Sequence, residues 1–71
     1  MWFQETFGIG HPCVSAEVVQ RYCAEAESAE CTGVILVSNC FTASAVEEAR
    51  RIEDDPNSII TSVKLQISED S

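Results

Sequence analysis

The run from Gly33 to Ile52, GVILVSNCFTASAVEEARRI, constrains the fold more than any other stretch, because it passes from a short apolar segment through a polar turn into a helical repeat. Val34, Ile35, Leu36 and Val37 are mostly β-branched, too few for a helix of ordinary length and apolar at every position. That is the pattern of a strand buried on both faces. Such a strand belongs at the centre of a sheet. After Ser38, Asn39 and Cys40, Thr42 stands where its hydroxyl can cap a helix carrying Ala45, Val46, Ala49 and Ile52 on one side. Glu47 and Arg51 have the i,i+4 spacing of an ion pair on its exposed side.

The flanking stretches supply the remaining elements. Met1 to Phe7 is aromatic-rich and reads as a strand, with Trp2 and Gln4 on one side and Phe3, Glu5 and Phe7 on the other. Gly8 to Pro12 is loop by its breakers, and Pro12 disfavours helix at His11. From Ser15 to about Ala29, Val18, Tyr22, Ala26 and Ala29, with Val19 and Cys23 beside them, form an apolar stripe at helical spacing. Glu17 and Arg21 repeat the i,i+4 pairing on the other side. Gly33 is placed to stop that helix. Asp54, Asp55, Pro56 and Asn57 form a turn signature that closes the second helix. Val63, Leu65 and Ile67 then alternate with Ser62, Lys64 and Gln66 as a strand with one buried face, its start left open by Ile59 and Ile60. Residues 68 to 71 are expected to fray.

The fold class is therefore α/β: one small domain over residues 1–71, a β-α-β-α-β unit with a three-stranded, mainly parallel sheet and two helices. Strands joined by helices run parallel through right-handed crossovers. With Val34 to Val37 central, both crossovers run the same way along the sheet. Both helices then fall on one face and leave the other bare. An uncovered apolar sheet face marks a partner or a missing domain.

The strand followed by Phe41-Thr42, Ala45 and Glu48-Ala49-Arg50 resembles the second half of the Mrr-like restriction endonuclease catalytic domain, where a hydrophobic strand leads through a Thr/Ser-rich turn into an FT-x-x-A-x-x-x-A helix. Upstream, Phe3-Gln4-Glu5-Thr6, then Pro12-Cys13-Val14-Ser15 and Val18-Val19-Gln20, look like that family's strand bearing Q-x-K, its loop and its following helix. The similarity runs over roughly residues 3 to 53, and these motifs recur widely in α/β folds. It implies the C-terminal half of a restriction-endonuclease-like core, whose complete form has further strands and a helix before this half. It also implies a divalent metal, Mg²⁺, held by an Asp on one strand and a Glu or Gln on the next, with a Lys two residues later. Gln4 falls at the second ligand position and Thr6 where the Lys belongs. The implied catalytic set is degenerate at Gln4 and Thr6, so no catalytic residue is assigned, and cleavage by the isolated chain is not expected. Glu5 projects from the opposite side of the strand and cannot replace them.

Charge and cysteine content narrow the partners. Four Lys and Arg against twelve Asp and Glu give a net charge of −8, which repels the phosphate backbone that dominates nucleic-acid affinity. DNA is a partner only if other segments complete the core. Arg50-Arg51, the single basic pair, is flanked by acids and reads as a solvated, salt-bridged face. No basic segment leads into an apolar core, and no apolar run approaches a membrane span, so a cytoplasmic protein without a membrane partner is expected. The cysteines at 13, 23, 31 and 40 could form a disulfide framework, but without a secretory signal reduced packing cysteines are the preferred reading. His11, Cys13 and Cys40 could hold a soft metal, yet no compact ligand spacing exists, and no metal ligand is assigned.

Ser38 to Ser44 lies past the carboxyl end of the central strand and at a helix N-terminus, where free N–H groups favour anions, so Ser38 and Thr42 are candidate anion-binding residues. The competing reading keeps Thr42 as a helix cap and Ser44 as surface. Three functions are thus in play. The first is a truncated or degenerate Mrr-like endonuclease core, inactive by itself. The second is a small acidic interaction or dimerisation module working through the bare sheet face. The third is a small-anion or phosphate binder at Ser38 to Thr42. A homo-oligomer or a missing upstream domain is the expected partner, and the isolated chain needs no cofactor.

Overall fold

The computed structural model describes residues 1–68 and gives the order β1 (Trp2–Thr6), α1 (Ala16–Ser28), β2 (Gly33–Ser38), α2 (Ala43–Asp54) and β3 (Ser62–Ile67). The three strands form one parallel sheet in the order β1-β2-β3. The all-apolar segment is therefore the middle strand, as its composition requires. Gln4 pairs with Ile35 and Thr6 with Val37, while Ile35 pairs with Lys64 and Val37 with Gln66 on the other side.

Both helices cover the same face. Val34 and Leu36 of β2 and Val63 of β3 pack in one cluster with Val19, Cys23 and Ala26 of α1 and Ala45, Ala49 and Ile52 of α2, and Phe3 and Leu65 lie against it. Side chains alternate along a strand, so these strand residues share one side. The opposite side carries Trp2, Gln4, Thr6, Ile35, Val37, Ser62, Lys64 and Gln66. Here the expectation of a bare apolar face is corrected. The face is apolar only at Trp2, Ile35 and Val37, the last two half-buried between Gln4 and Thr6 of β1 and Lys64 and Gln66 of β3, because the outer strands turn most of their apolar residues toward the helices.

Local detail departs from the sequence reading at several points. α1 ends in two backbone bonds, Cys31 N to Ala26 O at 2.8 Å and Glu30 N to Glu27 O at 3.0 Å, with Glu30 left-handed at φ 60°. This is the Schellman arrangement, with buried Cys31 against Ala26. The helix stop is thus Glu30, and Gly33 is instead the first residue of β2. A Cβ there would sit 2.5 Å from the Trp2 ring, so any other residue would push that ring aside. The expected i,i+4 pairs Glu17–Arg21 and Glu47–Arg51 are replaced, among the described residues, by one i,i+3 pair between Glu48 and Arg51. Glu48 faces α1, where Gln20 reaches it, whereas Glu47 is exposed.

The Thr42 cap forms as read: its Oγ1 accepts from Ala45 N at 3.2 Å. Asp55 closes α2 in extended conformation before Pro56, and its carboxylate accepts from Asn57 N at 2.9 Å. Ile60, almost fully buried, precedes β3 without joining it. Ser68, the first residue of the expected tail, donates its N–H to Ser38 O at 2.8 Å. Residues 69 to 71, the rest of the expected tail, lie outside the described residues.

Candidate functional site

The uncovered face is the first candidate, and its chemistry follows from strand alternation. Trp2 is 50% exposed, its ring lies over Gly33, and Lys64 Nζ sits 5.5 Å from the ring centroid. That places an indole, a guarding cation and two β-branched side chains on one flat surface. Among the described residues no acid stands on this face, in a chain that carries twelve. Glu5 points to the helix side, and the other acids among the described residues lie on the helices or in the connections. An aromatic and aliphatic centre with charge depleted around it is the composition of an interface core. Gln4 and Thr6 both project onto this face. Thr6 brings no positive charge to it, and the nearest strand cation is Lys64 on the far strand.

The second candidate is the carboxyl end of the sheet. Two connections converge there. Val14 N donates to Cys40 O at 3.0 Å and Thr42 N to Val14 O at 2.9 Å, an isolated parallel bridge between Val14 and Phe41. Beside it Cys13 and Cys40 form a disulfide with Cα atoms 4.7 Å apart. This corrects the reading of reduced packing cysteines for that pair and removes both sulfurs from the soft-metal set with His11. The reading holds for Cys23 and Cys31, which are free and buried. Burial, with Glu27 and Glu48 nearby, pushes the Cys23 thiol up to about 11.

The Ser38 and Thr42 hydroxyls sit on the same turn but are engaged there. Ser38 is fully buried, and its Oγ donates to Cys40 O and accepts from Cys40 N, both at 3.3 Å. Thr42 Oγ1 caps α2 and shares a 2.8 Å bond with Ser44 Oγ. A cleft of about 310 Å³ opens next to this turn, lined by Thr6, Phe7, Gly8, Ile9, Asn39 and Ser68. Among the described residues its lining holds the Asn39 amide and the Thr6 and Ser68 hydroxyls and no charged side chain.

Between the helices, Glu48 is 9% exposed. Its Oε1 accepts from Arg51 Nε at 3.0 Å, and its Oε2 accepts from Arg51 Nη2 and, at 3.1 Å, from Gln20 Nε2. The Arg51 hydrogen bonds hold the carboxyl below its usual value, against the opposing effect of burial. This is a helix-to-helix tie in which both carboxylate oxygens are hydrogen-bonded.

Sequence reasoning missed the Trp2–Gly33–Lys64 stack and the disulfide. Both depend on which residues the parallel register brings together. The one available signal was a cysteine in each of the two connections that leave neighbouring parallel strands at the same end of the sheet. Among the described residues, no helix is long and apolar enough to cross a membrane. No protein-family model, curated protein or solved structure matches the chain.

Proposed function

We propose that this chain is a catalytically silent, self-associating interaction module built on half of a restriction-endonuclease-like α/β core. The carrying observation is the uncovered sheet face, on which a protein of net charge −8 places Trp2, Ile35 and Val37 and, among the described residues, no acid. Dispersed acids would keep this face in water; their exclusion prepares it for contact. A second copy is the occupant that fits. A chain of 71 residues builds a small core, and two open faces laid together deepen it in both copies through a closed two-fold contact. Trp2, the only tryptophan, reports the contact directly. Its emission is expected to shift to the red on dilution of the wild type and to stay red at all concentrations in Ile35→Glu. Emission independent of concentration in the wild type overturns the reading.

The Mrr-like resemblance enters the same proposal. Gln4 and Thr6 point onto the open face, where a segment bearing an Asp would have to dock to assemble a Mg²⁺ site and act on DNA. Alone, the chain has Gln4 as one ligand and Thr6 in place of the charge-stabilising Lys. We therefore expect no nicking of plasmid DNA with Mg²⁺ or Mn²⁺; nicking that Gln4→Ala abolishes would contradict this. Cytoplasmic location belongs to the same reading.

A further inference from the structure

We infer that Cys13–Cys40 is a thiol–disulfide exchange site whose co-substrate is a thiolate. Three observations place it apart from a simple staple. First, the two residues differ in exposure: Cys13 is exposed on the loop between β1 and α1, and Cys40 is half-buried in the turn before α2. On this proposal an attacking thiolate approaches from the Cys13 side. Second, Cys40 is fixed as a leaving group. Its N–H and carbonyl are both bonded to Ser38 Oγ, its carbonyl also accepts from Val14 N, and it stands two residues before the Thr42 cap, where a helix end favours negative charge. Third, the two connections are held together without the sulfurs. The Val14–Phe41 bridge pairs their backbones and Val14 is fully buried, so opening the disulfide frees the loop ahead of Val14 and leaves the core in place.

The step balances as a two-electron exchange. A thiolate attacks Cys13 Sγ, the Cys13–Cys40 bond breaks, and Cys40 departs as thiolate and takes a proton from solvent. A mixed disulfide remains on Cys13. A second thiolate of the co-substrate attacks its own sulfur in that mixed disulfide, releasing Cys13 as thiolate, which is protonated in turn. The co-substrate is oxidised to a disulfide and the protein is reduced to two thiols. Cys23 and Cys31 stay out of the exchange because both are buried.

The co-substrate is either a small thiol or a protein dithiol, and the test separates them. The oxidised full-length chain is incubated with millimolar reduced glutathione, or with an unfolded peptide carrying two cysteines. Alkylation and peptide mass spectrometry then locate adducts and new thiols, and circular dichroism follows the fold. We expect two newly alkylated cysteines, 13 and 40, a glutathione adduct favouring Cys13 by about tenfold over Cys40, and a retained cooperative melt at lower temperature. Reduction by glutathione assigns a small thiol, and reduction by the peptide alone assigns a protein dithiol. Resistance to both, adducts spread equally over both sulfurs, or loss of the fold on reduction overturns the proposal.

Discussion

At the scale of single residues, several positions carry more than their type would lead one to expect. Glu30 holds φ 60° at the end of α1, a conformation that costs an L-residue free energy and that glycine adopts freely. Glu30→Gly should therefore stabilise the protein by about 0.5–1 kcal/mol, read as a rise of a few degrees in the melting temperature. An unchanged or lower melting temperature would show that the Glu30 side chain contributes more than its backbone costs. Neither Glu30 nor Gly33 was legible from the sequence. The only glycine near the end of α1 was the natural stop, and nothing local says that it serves Trp2 across the sheet. Thr42 was legible, because a helix cap depends only on its immediate neighbours. Glu48 was not, because the i,i+4 rule ranks Glu47 above it, and only the approach of α1, bringing Gln20, decides which carboxylate is enclosed.

At the scale of elements, Glu48 gives the helix pair a pH dependence whose sign can be worked out. Its native carboxyl is held below the ordinary value of 4.5, chiefly by the Arg51 hydrogen bonds. The associated stability is complete above the ordinary value and disappears as pH falls through the lower native one. Acid titration of the melting temperature should thus show a fall below about pH 4.5 that is smaller in Glu48→Gln; an equal fall in both would remove Glu48 from the account. The two sides of β2 give a second test. Leu36 is fully buried under the helices, whereas Ile35 is half-buried on the open face. Leu36→Ala should cost about 2–5 kcal/mol, and Leu36→Asp should unfold the chain, since an unpaired buried charge exceeds what a small domain can absorb. Ile35→Ala should cost less than half as much as Leu36→Ala at concentrations where the chain is monomeric. Equal losses in denaturant melts would mean that both faces are covered. Element order and the central place of β2 were legible because changes from helical to alternating periodicity lie in the chain itself, whereas the stop of α1 and the start of β3 were not. The disulfide was hidden because it joins residues 27 apart that meet only after β1 and β2 pair in parallel.

At the scale of the whole molecule, one topological fact organises the account: two crossovers in the same direction put α1 and α2 on one side of the sheet and leave the other side open. That one-sidedness follows from the placement of the apolar strand, so it could be reasoned from sequence. The composition of the open face could not, because it depends on the registers that set Gln4 and Thr6 on one side of Ile35 and Val37 and Lys64 and Gln66 on the other. Among the described residues the face lacks acids while the rest of the chain is acid-rich, so two copies meet without repulsion between these residues but with long-range repulsion between eight net negative charges each. Association should accordingly tighten as salt rises. Sedimentation equilibrium at low and moderate ionic strength, on the wild type and on Ile35→Glu, tests this most directly. The account predicts a dimer for the wild type, tighter at the higher salt, and a folded monomer for the variant; a folded wild-type monomer at high micromolar concentration in both salts would contradict it.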